Sequence, residues 1–82
     1  MKTTLYLVAT LIEHYDEPPT DCHTLYADFA DAKKAMQTEV EECMENFIDR
    51  DGSVILDLDT VYEWRDEDGN GLTVTIEQME VK

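Results

Sequence analysis

The sequence predicts a small α+β domain with the element order β-α-β-β, in which one helix packs on one face of a three-stranded, mainly antiparallel sheet. Three observations predict it. The first segment is rich in β-branched and aromatic residues, the middle segment has apolar residues in steps of three and four, and the last third alternates apolar with polar residues. A chain of 82 residues is the size of one domain, so we expect a single domain over residues 1–82.

The first predicted strand runs over Thr3–Tyr15 and is apolar on both faces. One face would carry Leu5, Leu7 and Leu11, and the other Tyr6, Val8 and Ile12. A strand of this kind is usually covered on both sides or meets a partner, which leaves room for a homodimer. The apolar run is too short to span a membrane, and no small-residue cleavage site follows it, so a secretory signal is disfavoured.

A loop and a helix are predicted next. Two prolines predict a loop over Asp16–Asp21, and Cys22–Tyr26 is ambiguous between loop and extended chain. The helix is predicted over Phe29–Asp49, with Asp28 as its N-cap and Gly52 as its left-handed C-cap. Its apolar stripe consists of Phe29, Ala32, Met36, Val40, Cys43 and Phe47.

The remaining chain predicts a hairpin. Ser53–Arg65 alternates as one half-buried strand, Asp66–Gly71 has turn composition, and Leu72–Val81 is rich in β-forming residues. A helical crossover would make the first two strands parallel, and the hairpin would place the last strand antiparallel beside the second. Trp64 is expected in the core, although exposed aromatic residues such as Tyr6, Tyr62 or Trp64 would suit a binding site.

The charge of the chain is strongly negative and unevenly placed. There are 20 Asp and Glu residues against 6 Lys and Arg, a formal net charge of −14. Residues 39–68 hold 12 of the acids and only two bases, Arg50 and Arg65. Such a surface disfavours direct contact with nucleic acid and with anionic membranes, and it favours a basic protein partner.

No residue pattern indicates catalysis, so the sequence predicts a protein that is not an enzyme. Cys22, Cys43, His14 and His23 do not have the spacing of a zinc site. Two cysteines without a CxxC motif are too few for a disulfide scaffold, and they favour a reduced, cytoplasmic protein. No cofactor is expected, with calcium as the one candidate.

The position of the acids supports a binding function as an alternative to a surface that only keeps the chain soluble. In the second half of the helix, Glu41 and Glu45 are like charges four residues apart, and Asp49 meets the negative end of the helix dipole. Asp57 and Asp59 would lie about 6.5–7 Å apart on one strand face, within about twofold of the ~3.4 Å spacing of phosphates along a DNA strand. The candidate partner-binding residues are Glu39, Glu41, Glu42, Glu45, Asp49, Asp57, Asp59, Glu63, Asp66 and Asp68.

These observations favour an inhibitor that mimics nucleic-acid phosphates and blocks the basic channel of a nucleic-acid-binding protein. In size and charge, though in no motif, the chain resembles the small acidic inhibitors encoded by phages and mobile elements, including anti-CRISPR proteins. If phage-encoded, it would act in the cytoplasm of the host cell. The alternatives are a calcium-binding domain and a structural or oligomerising domain whose acids only keep it soluble.

The calcium alternative depends on residues 66–77, which resemble an EF-hand calcium loop at every specified position. Side-chain oxygens would come from Asp66, Asp68, Asn70 and Glu77, with Gly71 at the sharp turn. The flanks alternate as strands where an EF-hand has helices, Thr73 replaces the usual branched apolar residue, and there is no second hand. The competing interpretation is an acidic β-hairpin turn.

Overall fold

The computed structural model describes residues 3–81 and shows an α+β domain with one helix on one face of a five-stranded antiparallel sheet. The elements are β1 (Thr3–His14), β2 (Glu17–Tyr26), α1 (Phe29–Met44), β3 (Gly52–Asp57), β4 (Val61–Asp66) and β5 (Gly71–Val81). A short 3-10 turn, Glu45–Phe47, continues α1. The strand order across the sheet is β2-β1-β5-β4-β3, so β2 and β3 form its two edges.

The prediction of three strands was wrong, first because the proline-containing segment is a strand. Glu17–Tyr26 pairs antiparallel with β1, from His14 opposite Glu17 to Tyr6 opposite Tyr26. The register shifts between Ile12 and His14, so Pro18 and Pro19 fall at an irregular point of the pairing. Prolines are tolerated at bulges and on edge strands because no ladder hydrogen bond is lost there.

The second reason is that the alternating segment 53–65 is two strands rather than one. The chain turns at residues 58–60, and the backbone N–H of Leu58 donates to the carbonyl of Val61 at 2.8 Å. β3 and β4 therefore form a hairpin, with a register shift between Val54 and Leu56. Alternation defines the faces of a strand but not where the chain reverses.

The predicted parallel pair was also wrong, since every strand pairing among residues 3–81 is antiparallel. β1 lies between β2 and β5. The chain leaves the sheet at one edge after β2, passes along α1 and returns at the opposite edge as β3. The helix therefore connects the two edges and does not link neighbouring strands.

The helix begins where predicted but ends earlier. Asp28 is the N-cap residue in an extended conformation, although its side chain makes no capping hydrogen bond. Gly52 is not a left-handed cap, because Gly69 is the only residue with positive φ in the described chain. Gly52 instead begins β3 under the indole of Trp64, where a Cβ atom would collide with the ring.

The core lies between α1 and one face of the sheet, and its centre is fully excluded from solvent. The buried apolar residues are Val8, Ala32, Met36, Cys43, Phe47, Trp64, Leu72, Val74 and Ile76. The ring of Phe47 stacks on Trp64 at 4.8 Å between centroids. The prediction that Trp64 belongs to the core is thus confirmed, and so are the first strand, the turn at 66–71 and the last strand.

Candidate protein-binding surface

Four of the predicted acids lie together at the end of the helix, and we call them the helix-end acids: Glu41, Glu42, Glu45 and Asp49. All four are exposed, and within residues 3–81 none of them forms an ion pair. The last turn of α1 contains no basic residue. Negative charge at this end of a helix is unfavourable, because the backbone carbonyls already concentrate negative potential there.

Two further acids, Asp57 and Asp59, extend this negative surface to the β3–β4 hairpin. The side chain of Asp59 is 96% exposed. Lys33 is the nearest base; its Nζ donates to the backbone carbonyl of Asp59 at 2.7 Å but lies 4.0 Å from the carboxylate. The charge of Asp59 is therefore only weakly compensated.

Between the helix and this hairpin runs an open depression of about 200 Å³, which we call the side groove. It exists because α1 packs over β1, β2 and β5 and leaves β3 and β4 largely uncovered. Its lining residues are Lys33, Met36, Gln37, Val40, Glu41, Asp57, Leu58 and Tyr62. Burial, reinforced by the charge of Asp57, raises the pKa of the Tyr62 phenol, so its hydroxyl stays neutral at physiological pH. The side groove thus combines an apolar floor with a mostly acidic rim.

Glu63 is placed away from the helix-end acids, on the sheet face opposite α1. Arg65 donates from Nε to Glu63 and from one terminal nitrogen to Glu13, both at 2.7 Å. A third, longer contact of 3.4 Å joins Arg65 to the Thr73 hydroxyl. These hydrogen bonds raise the pKa of the Arg65 guanidinium above its already high value. Glu63 therefore has a counter-ion within the fold, which it shares with Glu13.

Glu39 lies on the other flank of the helix and is partly buried. The thiol of Cys43 donates to its Oε2 at 3.7 Å. Burial, together with the charge of Glu39, raises the pKa of the Cys43 thiol to about 11. A thiol with this pKa is protonated at neutral pH, and the buried Cys43 side chain packs in the core as a small apolar group.

The turn that resembles an EF-hand loop is held by its own hydrogen bonds. Asp66 Oδ1 accepts from the backbone N–H groups of Asp68 and Asn70, both at 2.9 Å, and Oδ2 accepts from the Asn70 side chain at 2.8 Å. The buried Asn70 accepts in turn from the backbone N–H of Tyr15 at 3.2 Å, which joins this turn to the β1–β2 turn. Desolvation acts to raise the pKa of Asp66, but these hydrogen bonds outweigh it and hold the pKa below its usual range.

The four predicted calcium ligands are not brought together. Asp66 and Asn70 bind each other, and Asp68 is exposed with Arg50 at 4.0 Å. Glu77 lies on β5 opposite Leu7, about 20 Å along the strand from Gly71 at 3.3–3.4 Å per residue. Across residues 3–81, no group of three or more His, Cys, Asp or Glu side chains is arranged to hold a metal ion.

The exposed edge strand β3 is the feature that sequence reasoning missed. All six of its residues are exposed, and three of them are the consecutive apolar residues Val54, Ile55 and Leu56. The alternation of the segment predicted that half of these side chains would be buried. The run of three apolar residues interrupts the alternation, and it was the sequence signal that this strand is exposed on both faces.

Comparison of the chain with protein-family models, with curated proteins and with solved structures finds no match in any of the three. Over residues 3–81, the chain has no helix with the length and apolar character needed to cross a membrane.

Proposed function

We propose that this chain is an acidic protein-binding module that inhibits a nucleic-acid-binding protein. Its carboxylates would occupy the basic channel in which that protein holds nucleic-acid phosphates. It would act in the cytoplasm, which is that of the host cell if the chain is phage-encoded. The observation that carries the proposal is the set of helix-end acids, which are exposed and lack counter-ions among residues 3–81. The chain is proposed to act by binding and not by catalysis.

The energetics of the helix end support a binding role. Each acid near a helix C-terminus costs about 0.3–1 kcal/mol, and each like-charge pair one turn apart costs about 0.2–0.5 kcal/mol more. A chain that needed acids only for solubility could carry them on the first turn of α1, where they would stabilise the helix. A surface that is unfavourable for the fold and exposed to solvent is expected where a partner supplies the missing positive charge.

The geometry of the surface supports a phosphate-like display. Glu41 and Glu45 lie one helical turn apart, with about 5–6 Å between their Cβ atoms. Glu41 and Asp57 both line the side groove, so negative charge continues from the helix to the hairpin. Spacings of this size are within about twofold of the ~3.4 Å separation of phosphates along a DNA strand.

The proposal is tested by capture from a cell lysate on the immobilised chain at low salt, followed by elution with duplex DNA. We expect the captured protein to be a nucleic-acid-binding protein that DNA displaces. Its association rate should fall by about tenfold or more when Glu41, Glu42 and Glu45 are all changed to Gln, because electrostatic steering dominates such encounters.

The matched control removes the same charge from the β1–β2 hairpin by changing Asp16 and Asp21 to Asn and Glu17 to Gln. This control should alter the association rate far less, because these exposed acids lie outside the proposed surface. Equal effects of the two triple variants would favour a merely solubilising charge, and a captured protein that DNA does not displace would overturn the phosphate-mimic function.

A further inference from the structure

The two edges of the sheet are protected to very different degrees. The β2 edge carries Pro18 and Pro19 together with the charged residues Glu17 and Asp21. Prolines and charges are the usual devices that prevent an edge strand from pairing with another chain. The β3 edge has no proline, its one charged residue, Asp57, lies at its end, and its pairing with β4 contains a bulge.

Three consecutive side chains of β3 are apolar, and they are exposed on both faces of the sheet. Val54 is 51% exposed, Ile55 55% and Leu56 39%. Val54 lies opposite Trp64 on the helix side, whereas Leu56 lies opposite Glu63 on the other side. β3 pairs only with β4 in the described chain, so its outward N–H and C=O groups have no neighbouring strand.

The side groove lies next to this edge. Asp57 at the end of β3 and Leu58 just beyond it line the groove together with Met36 and Val40 of the helix. A strand added to β3 would direct every second side chain toward the helix side of the sheet. The side chains nearest the Asp57 end of β3 would lie beside the groove.

The charged residues around the β3 edge indicate what kind of chain would pair with it. Asp51 precedes β3, Asp57 ends it, and Glu41 lines the side groove beside it. One base, Lys33, also lines the groove, and its Nζ donates to the backbone carbonyl of Asp59. A second copy of the chain pairing antiparallel with β3 would bring Asp57 of each copy close to Asp51 of the other. Like charges at such positions are destabilising, whereas Lys and Arg would be attracted there.

We propose that the β3 edge is a strand-addition site for an extended segment of a partner protein, with apolar residues at alternate positions and Lys or Arg at its ends. Backbone hydrogen bonds to β3 would provide affinity, while the side groove and the flanking acids would select the side chains. This inference shares Glu41 and Asp57 with the proposed acidic surface but does not rest on the phosphate-mimic function, because a strand-addition site needs only the unpaired backbone of the β3 edge.

The test uses a synthetic nonapeptide, Ac-KRVTVTVRK-NH2, titrated into the ¹⁵N-labelled protein at near-physiological salt. We expect the backbone amides of residues 53–57 to shift and to gain protection from hydrogen exchange on binding. A peptide of the same core with Glu at the four charged positions, Ac-EEVTVTVEE-NH2, should bind at least about tenfold more weakly, since it removes the charge complementarity.

The matched variants are Ile55→Lys on the β3 edge and Thr20→Lys on the β2 edge, which add the same charge to opposite edges of the sheet. Ile55→Lys should weaken binding of the basic peptide by about tenfold or more, because an edge lysine blocks strand addition. Thr20→Lys should leave the affinity for the basic peptide within about twofold of that of the parent. Thr20 and Ile55 are both exposed, but Thr20 lies on β2, away from the proposed site.

Three results would overturn the inference. One is that the peptide protects amides of β2 or of the helix, and not those of β3, from hydrogen exchange. A second is equal binding of the two peptides. The third is a concentration-dependent dimer in sedimentation, with residues 53–57 protected in the absence of peptide, which would make a second copy the occupant of the edge.

Discussion

Gly52 is the residue whose role is defined most sharply by its surroundings. A Cβ atom at this position would overlap the indole of Trp64 and press against the carbonyl of Arg65. Trp64 is a central core residue stacked on Phe47, so it has little room to move away. The requirement for glycine here is one of space and not of backbone conformation.

We therefore expect Gly52→Ala to lower the free energy of unfolding by about 1–3 kcal/mol, the usual cost of overpacking a core. Urea unfolding at neutral pH measures the change. The control is Ser53→Ala, at the next and exposed position, which should stay within about 0.5 kcal/mol of the parent. An unchanged stability of Gly52→Ala would show that the indole does not lie against this backbone.

Asp66 makes the stability of the turn depend on pH. Its folded-state pKa is lowered by hydrogen bonds, so its contribution is complete above the pKa of the unfolded chain and is lost as the pH falls through the folded pKa. Asp66→Asn should therefore be less stable than the parent at pH 7, and the difference should shrink as the pH falls below about 4, the unperturbed Asp value.

Urea unfolding of both proteins between pH 7 and pH 2 measures this difference. Glu67→Gln is the control, because it removes an exposed acid of the same turn that makes no hydrogen bond within residues 3–81. The difference in free energy of unfolding between Glu67→Gln and the parent should change much less with pH. A difference for Asp66→Asn that grows toward low pH would contradict the assigned hydrogen bonds.

At the scale of elements, α1 shows a conflict between stability and charge. The buried apolar stripe of α1 packs against the sheet and stabilises the helix. The last turn of α1 contains acidic residues and no basic residue. The triple change of Glu41, Glu42 and Glu45 to Gln is therefore expected to stabilise the protein by about 1 kcal/mol while it weakens binding. Urea unfolding in parallel with the binding assay separates the two effects, and a loss of stability in this variant would remove the energetic argument for the binding role.

The elements also show what sequence patterns can and cannot predict. α1 was predictable from the spacing of its apolar residues, and β1 and β5 were predictable from their own content of β-forming residues. β2 was missed because Pro18 and Pro19 argue against a strand unless the strand is known to lie at an edge. The division of the segment 53–65 was missed because the turn at residues 58–60 contains neither glycine nor proline.

For the whole molecule, the net charge of −14 sets the response to ions. Self-repulsion destabilises a compact acidic chain, and added salt screens it because the Debye length falls from ~30 Å at 0.01 M to ~3 Å at 1 M. The melting temperature should therefore rise with ionic strength.

CaCl2 and MgCl2 at equal concentration should raise the melting temperature equally, since the oxygens of Asp66 already accept hydrogen bonds and Glu77 lies far along β5.

Differential scanning fluorimetry at 1–10 mM of each salt measures this comparison. An additional rise with calcium that disappears in Asp66→Ala would establish a calcium site and revive the EF-hand interpretation. Association across the sheet face opposite α1 stays a prediction of the sequence, and sedimentation at low and high protein concentration tests it separately.

The sequence by itself determined the acidity of the chain, the run of acids over residues 39–68, the helix with its buried stripe, and the first and last strands. Composition and local periodicity carry these features, so they need no knowledge of distant residues. Only the tertiary structure decided the number and order of the strands, the exposure of β3, and which acids remain uncompensated. Arg65 pairs with Glu13, 52 positions away in sequence, and with Glu63. Strand pairing and charge pairing join residues that no local pattern links, and they separate the predicted acids that have a partner within the fold from those that are exposed without a counter-ion among residues 3–81.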